Sequence, residues 1–568
     1  MRVLGIEGTA WCASAAVYDS ETDDVHIESD AYEPDSGGIH PREAAEHMSE
    51  AIPAVVDEAL SYAEHKYGPD PIDAVAFSRG PGLGPCLRTA ATAARSLAGS
   101  LSVPLVGVNH MVAHLEIGRH RSGFENPVCL NASGANAHVL GYHDGRYRVL
   151  GETMDTGIGN AIDKFTRHVG WSHPGGPKVE TAAADGGFLE LPYVVKGMDF
   201  SFSGIMSAAK DRYDEGVPVA DVCFSLQEHA FAMLTEVSER ALSLTGASEL
   251  VLGGGVGQND RLREMLETMC AQRGASFYAP EPRFLRDNAG MIAVLGAKMA
   301  AAGDTVPIPD STVDPNFRPD NVPVTWRAGE ASIADASPAR DHTGAEATVE
   351  ILGTGRVKKR RRSRAYRHPE LDGKLRESRT TLEARLLNEA RRAGVSTPLV
   401  HDVDVSNATL TLQHVGDRDL AAAVEEPNGT GTTHARQVGR YLARLHDAGI
   451  VHGDPTTRNV RIRTEERLMS LEGDSTDTHG VLLEVAGEPS GSDSNSRPHT
   501  YLIDFGLGYH TGHIEDHAMD LHVFEQSVAG TALDSDPLLD AFEAGYVSIG
   551  DSTVIDRLRT IEGRGRYQ

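Results

Sequence analysis

The sequence predicts an α/β domain over residues 1–323 followed by a smaller α+β domain over residues 344–568. Three observations carry this reading. Up to Pro323, short β-branched runs alternate with Ala-rich amphipathic stretches, the pattern of strands and helices stacked in layers. From Arg327 to Thr343 the composition turns to Ala, Ser, Asp, Pro and Gly without periodicity, so residues 324–343 are read as a linker. A second strand and helix pattern then opens near Gly344 and continues to the end. At 568 residues with 40% apolar content, the chain is too long for one core and apolar enough for two.

In the first domain Val3–Ile6, Ala74–Ser78, Leu105–Val108 and Glu249–Leu252 are expected to be buried strands. Residues 44–64, 88–101, 227–244 and 261–273 are expected to be helices. In the second domain residues 465–498 are acidic and rich in Ser, Gly and Asp, and are read as a disordered surface insertion. No short internal repeat is detectable.

The formal net charge is −29, and only nine of the 53 Lys and Arg residues are lysine. Such a surface suits a salt-rich cytosol, where screening over about 3 Å at molar ionic strength removes most self-repulsion. A salt-loving host is expected. The five cysteines are Cys12, Cys86, Cys129, Cys223 and Cys270; they show no paired spacing for zinc or a redox couple and read as buried, reduced thiols. The start of the chain is too soon charged for a signal peptide. No apolar run approaches the roughly 20 residues needed to span a membrane, so a cytoplasmic protein is expected.

Three glycine-bearing turns follow or separate predicted strands: Gly5–Thr9, Asn131–Asn136 and Leu252–Asp260. Glycine lets backbone N–H groups approach phosphate or adenine closely, and a helix N-terminus favours anions. Three such turns in this order resemble the two phosphate loops and the adenosine loop of the duplicated actin-like and heat-shock ATPase fold, which is the fold expected for the first domain.

His110 and His114 stand at i and i+4, on one face of a helix and close enough to share a metal. The glutamate that a zinc protease carries beside its first histidine is missing. The surrounding stretch Asn109–Glu116 resembles the metal-binding helix of the Kae/TsaD family of tRNA threonylcarbamoyltransferases. The resemblance recurs in Gly159–Lys164, His173–Glu180, Asp199–Gly204, Gly253–Asn259 and Arg286–Ala293. It implies a divalent metal, usually Fe(2+), held by His110, His114 and Asp287. It also implies that threonylcarbamoyl-adenylate lies along Ala132, Ser133, Gly134, Ala135, Asp163, Gly176, Glu180 and Asn259. Asn131 stands where the family usually has a metal-ligating tyrosine, Ala135 replaces a glycine and Ala137 a threonine. An asparagine carbonyl can still serve a hard metal, so Asn131 is retained as a candidate ligand.

In the second domain Val451–Asn459 places Asp454 and Asn459 five residues apart, the spacing of a kinase catalytic loop. Asp504, in Tyr501–Gly506, supplies a second candidate magnesium ligand. Lys359 is the candidate phosphate-binding lysine, with Lys358 as alternative; Glu383 is its expected partner, with Glu389 behind it. Gly344–Ala347 stands in place of a G-x-G-x-x-G loop, and Gly453 replaces the arginine that normally reads a phosphorylated activation segment. With Tyr366–Asp372 and Ile514–Leu521, these features resemble the RIO-like atypical kinase of the KEOPS complex.

Together the resemblances imply a bifunctional enzyme. The first domain would transfer threonylcarbamoyl to the N6 amine of the adenosine beside the tRNA anticodon. The second would use ATP with Mg(2+) as an ATPase or serine/threonine kinase. The implied partners are tRNA and the other KEOPS subunits, one small and dimerising, one kinase-binding. The run Arg356–Arg367 carries eight Arg or Lys. It is read either as a solvated strand around the nucleotide lysine or as a contact for tRNA phosphates, joined by Arg557, Arg559, Arg564 and Arg566.

Overall fold

The structure is a computed structural model and describes residues 1–32, 40–143, 145–330, 347–353, 355–424, 430–463, 499–532 and 534–563. It divides into two compact units: Met1–Glu346 with Arg362–Arg376 and the residues from Glu562, and Ala347–Arg361 with Glu377–Ile561.

In the first unit β1 (Arg2–Glu7) pairs antiparallel with β2 (Cys12–Asp19), and β2 with β3 (Asp24–Ala31). On the other side of β1 run β4 (Ala74–Gly80) and β5 (Leu105–Asn109), both parallel. Parallel neighbours need long crossovers, here the helices Pro41–Tyr67 and Gly84–Leu101. A second meander follows in β6 (Val128–Ala132), β7 (Ala137–His143) and β8 (Arg146–Glu152). After a short hairpin of β9 (Val195–Lys196) and β10 (Asp199–Phe200), β11 (Glu249–Gly253) and β12 (Ser276–Tyr278) complete a second sheet in parallel. The orders β3-β2-β1-β4-β5 and β8-β7-β6-β11-β12 are the same topology strand for strand. This is the duplicated actin-like architecture that the glycine turns led us to expect.

The predicted strands and helices of this unit lie inside observed ones. Helix Pro41–Tyr67 starts with proline at its first turn and buries Ala44, Met48, Ala51, Ile52, Val55, Ala59 and Ala63 at helical spacing against β2, β3 and helix Gly84–Leu101. Gly5, in the first glycine turn, serves packing: a Cβ there would lie 2.5 Å from the carbonyl oxygen of Ala289 and 2.7 Å from the nitrogen of Ala293. The helix Ala289–Ala301 can therefore lie directly on β1.

Two boundaries differ from the sequence reading. The linker does not begin at 324, because Arg327 is 1% exposed. Its guanidinium stacks over Tyr142, 3.8 Å from the ring centre, and donates to Tyr147 Oη at 3.1 Å, Glu125 O at 3.0 Å and Glu330 at 2.7 Å. A composition of small and polar residues cannot reveal that one arginine among them has a buried acceptor set. Arg362–Arg376, expected in the second domain, folds with the first unit. Helix Val219–Thr245 buries Glu228, Glu236 and Glu239, and buried carboxylates require cations. Arg364 reaches Glu239 at 3.1 Å, Arg367 reaches Glu236 at 2.7 Å, and Tyr366 donates to Glu239 at 3.1 Å.

The second unit opens on an antiparallel sheet of β13 (Ala347–Leu352), β14 (Arg356–Arg361), β15 (Val400–Asp404) and β16 (Thr409–Gln413), ordered β13-β14-β16-β15. Helix Pro369–Arg392 lies between β14 and β15 in the chain, and the remainder is mainly helical around Gly431–Asp447 and Ile514–Thr531. This is a small α+β unit of two parts, a sheet followed by helices. Residues 465–498 and Gly344 lie outside the described residues. All five cysteines are buried and unpaired. Among the described residues no helix is long and apolar enough to cross a membrane.

Candidate active sites of the two units

In the first unit Asn109 caps the helix His110–Ser122, its Oδ1 accepting from the N–H groups of Met111 and Val112 at 3.0 and 3.1 Å. The cap fixes the first turn, so His110 and His114 sit one turn apart, edge to face, with ring centres 4.8 Å apart and planes at 87°. Asp287 comes from the turn that leads into helix Ala289–Ala301. Its Oδ1 lies 3.2 Å from His110 Nε2 and 3.4 Å from His114 Nε2. All three donor atoms fall within 4.8 Å of one another. Ligands in cis positions on one ion, each about 2.1 Å from it, stand roughly 3 Å apart, so this cluster has the dimensions of a metal site.

Glu7 completes the arrangement at the end of β1, with Oε2 3.1 Å from His110 Nδ1. Burial disfavours the His110 imidazolium, but Glu7 and Asp287 outweigh it and raise its pKa to about 10. Burial also acts against ionised Asp287, and the His110 charge overcomes it, holding the carboxyl well below its usual range. His114 is pushed down by burial and stays neutral, with Nδ1 buried and lacking a hydrogen-bond partner. Asn131 Oδ1 is likewise buried without a partner, while its Nδ2 faces Met111 Sδ at 3.5 Å. A protonated His110 held between two carboxylates suits replacement by a cation. Cys12 is not in the ligand set; burial, then Asp287 and Glu7, pushes its thiol up to about 12.

The glycine turns border this cluster. A Cβ at Gly253 would lie 3.5 Å from the His114 Cβ and 3.6 Å from Asn131 Oδ1, so the third turn passes between helix and β6. Gly254, at φ +84°, leaves room for Ala132 O and for Asn131 Oδ1. Ser133, Gly134 and Ala135 form a loop whose carbonyls accept from Gly159, Asn160 and Gly157 at 3.3, 2.8 and 3.0 Å, seating it on the N-terminus of helix Ile158–Val169. Asp163 on that helix accepts from Gly175 N–H at 2.8 Å, next to Gly176 at the start of helix Gly176–Ala183. Glu180 accepts from Asp260 N–H at 2.7 Å. Asn259 caps helix Asp260–Arg273 and donates to Gln227 at 3.0 Å. The sequence-predicted adenylate residues thus each order a loop or helix start.

In the second unit Lys359 and Glu383 meet: Nζ is 2.7 and 2.9 Å from the two Glu383 oxygens and 2.7 Å from Asp504 Oδ1. Lys358 is exposed, and Glu389 pairs with His510 at 2.6 Å, so the two alternatives lie elsewhere. Asn459 Nδ2 donates to Asp454 O at 2.9 Å and Oδ2 at 3.0 Å. Asn459 O accepts from Ile503 N–H at 3.0 Å, tying the catalytic-loop candidate to the strand before Asp504. Asp504 has φ +65°, a left-handed conformation that aspartate tolerates. Gly453 has φ +81°, and a side chain there would meet the Leu507 carbonyl, which explains why no arginine occupies the position. His452 is kept neutral by burial; its Nε2 donates to Ile503 O at 3.1 Å and its Nδ1 accepts from Asp454 N–H at 3.3 Å.

Asp520 lies in the Ile514–Leu521 stretch, and nothing in the sequence assigns it a role. Its two oxygens accept from His452 N–H at 2.9 Å and Gly453 N–H at 2.8 Å, and it also pairs with His446 at 3.1 Å. The basic run is split. Lys359, Arg361, Arg364 and Arg367 are buried in ion pairs, whereas Arg356, Lys358, Arg360 and Arg362 are exposed. Arg557 pairs with Glu515 at 2.6 Å and Arg559 with Glu543; Arg564 and Arg566 lie outside the described residues.

The duplicated fold with its histidine–aspartate cluster places the first unit in the TsaD class: the family model TsaD, tRNA N6-adenosine threonylcarbamoyltransferase, matches residues 22–294. Relatives extend the match to the whole chain. A "Probable bifunctional tRNA threonylcarbamoyladenosine biosynthesis protein" of Halobacterium salinarum is 65% identical over 571 residues, covering 100% of this chain and 99% of the relative. Proteins of the same name from Natronomonas pharaonis (65%, all of both chains) and Methanospirillum hungatei (47%, 100% and 99%) match likewise. The chain belongs to this family of bifunctional tRNA threonylcarbamoyladenosine biosynthesis proteins.

Proposed function

We propose that the first unit transfers threonylcarbamoyl from threonylcarbamoyl-adenylate to the N6 amine of the adenosine beside the tRNA anticodon. The amine nitrogen bonds to the carbamoyl carbon, the bond from that carbon to the phosphate oxygen breaks, AMP leaves, and the amine gives up one N–H proton to solvent. The observation that carries this is the convergence of His110, His114 and Asp287 on one point beside the Asn131–Ala135 loop. His110, His114, Asp287 and Asn131 would hold a divalent ion, Fe(2+) in our reading, which supplies Lewis-acid polarisation of the carbamoyl oxygen. Glu7 orients the His110 ring, and Ser133–Ala135 with Asp163, Gly176, Glu180 and Asn259 cradle the adenylate.

The second unit, in the same reading, binds ATP with Mg(2+). Lys359 holds phosphate oxygens, Asn459 and Asp504 hold the magnesium, and Asp454 orients the attacking oxygen of water or of a serine or threonine. That oxygen bonds to the γ-phosphorus, the bond to the β–γ bridging oxygen breaks, and ADP leaves. Partners of this assembly are the small dimerising and kinase-binding KEOPS subunits, and a cytoplasmic location follows from a tRNA substrate.

Transfer of labelled threonine to unmodified tRNA in high salt tests the proposal, with an adenylate-forming enzyme and accessory subunits of proven activity. Label with wild type but not with His110→Ala supports it. Absence of label with wild-type protein that has metal bound sinks it.

A further inference from the structure

Glu383 is buried with a single negative charge, yet two cations contact it. Lys359 Nζ lies against both of its oxygens at 2.7 and 2.9 Å, and Arg361 Nη2 reaches Oε2 at 2.6 Å. Arg361 sits two positions after Lys359 on β14, so both side chains leave the same face of the strand. It is fully enclosed, with Nη1 3.3 Å from Thr380 Oγ1 on the helix that carries Glu383. Its guanidinium also lies against Gly506, directly after Phe505; a Cβ there would collide with Nη2 and come within 3.3 Å of Asp504 Oδ1.

A lysine paired one-to-one with a buried carboxylate is electrically spent. The attraction it offers to phosphate is largely cancelled by its partner a few ångströms behind it. Arg361 alters that balance: Lys359, Arg361 and Glu383 together carry a net charge of +1, and the one remaining carboxylate on Lys359 is Asp504, at 2.7 Å, the candidate magnesium ligand. Arginine keeps its charge at any working pH, and its fork can hold Oε2 while Lys359 stays on the other oxygen.

Resting on the nucleotide reading of the second unit, we propose that Arg361 is a positioning residue for the nucleotide phosphates. It neutralises and clamps Glu383, so that the charge of Lys359 is not spent on Glu383 and, once magnesium takes up Asp504, is available to a polyphosphate without Arg361 touching the ligand. The pairing also ties the turn of helix that carries Thr380 and Glu383 to β14. An activation segment is then not needed for that task.

The test is binding of Mg–ATP, ADP and adenosine to the full chain in high salt, for wild type, Arg361→Gln and Arg361→Lys. The proposal expects Arg361→Gln to weaken Mg–ATP roughly tenfold or more, ADP by less, and adenosine by no more than about twofold, because the lost interaction is with phosphate charge. Arg361→Lys, which keeps the charge, is expected to restore most of the Mg–ATP affinity. Adding Glu383→Gln to Arg361→Gln should remove most of the deficit, since the uncompensated carboxylate is gone. Equal loss for adenosine and Mg–ATP, or a lysine variant as weak as the glutamine one, overturns the proposal and leaves the nucleotide reading standing. A wild-type chain that binds no Mg–ATP overturns the nucleotide reading and this proposal with it.

Discussion

Glu7 and His110, 103 residues apart in the chain, meet with Glu7 Oε2 3.1 Å from the imidazole Nδ1, which leaves Nε2 turned toward Asp287 Oδ1 at 3.2 Å. A carboxylate behind a ligating histidine fixes the tautomer and the ring plane, and its loss typically lowers metal affinity 10- to 100-fold. Glu7→Gln is therefore expected to bind a divalent metal about 10- to 100-fold more weakly than wild type, with folding intact, while His110→Ala holds none in stoichiometric amount. Equilibrium dialysis against defined metal concentrations measures both; unchanged affinity in Glu7→Gln would show that the pair is only structural.

His229 gives the first unit a sensitivity to acid. Its Nδ1 faces the Ser225 carbonyl at 2.7 Å and its Nε2 accepts from Leu191 N–H at 3.3 Å, a set that only the neutral ring satisfies. Burial, the main cause, lowers its pKa from 6.5 to about 4. Between those values the native protein binds fewer protons than the unfolded chain. The stabilisation is thus complete above about 6.5 and is lost as pH falls through about 4. His229→Gln, which keeps one donor and one acceptor, should flatten the dependence of Tm on pH across this window. Parallel Tm curves for variant and wild type would count against it.

Arg327 anchors the segment that follows Pro323 to the first unit. Replacing it with alanine removes the donor to the Tyr147 hydroxyl and to Asn126 Oδ1 and the packing on Tyr142, while Arg119 still reaches Glu330 and Glu125 O; the expected cost is about 3 kcal/mol. Denaturant titration in high salt should show the first unit's transition moving to lower concentration. A loss below roughly 1 kcal/mol would mean that solvent replaces these contacts, as at an exposed site.

Asp520 holds the catalytic-loop candidate by the backbone rather than by its side chains. Asp520→Ala removes both acceptors from His452 and Gly453, so ATP turnover should fall at least about tenfold with a loss of stability near 2 kcal/mol. Asp520→Asn retains one acceptor oxygen and should lie between. Comparing kcat for ATP with the midpoint of unfolding separates the two effects; an alanine variant with wild-type turnover would refute the assignment.

Much of the fold was legible because it rests on local patterns. Alternating apolar runs marked β1, β4, β5 and β11, and the turns at Gly5, Gly134 and Gly253 pointed to a duplicated architecture whose two sheets share one strand order. Within the sites, the i, i+4 spacing of His110 and His114 was visible because one helix supplies both. The five-residue spacing of Asp454 and Asn459 was visible because one loop does.

Helix periodicity, strand alternation and turn chemistry thus placed these residues in the chain, and with them the family likeness they carry. Which distant groups meet was decided by tertiary structure alone. Glu7 reaches His110 across sheet and helix, Arg361 shares Glu383 with Lys359, and Arg364, Tyr366 and Arg367 fold with the first unit because buried Glu236 and Glu239 need their charge. A charged side chain looks the same in sequence whether water or a buried partner will neutralise it; only the folded chain, which removes the water, makes that choice.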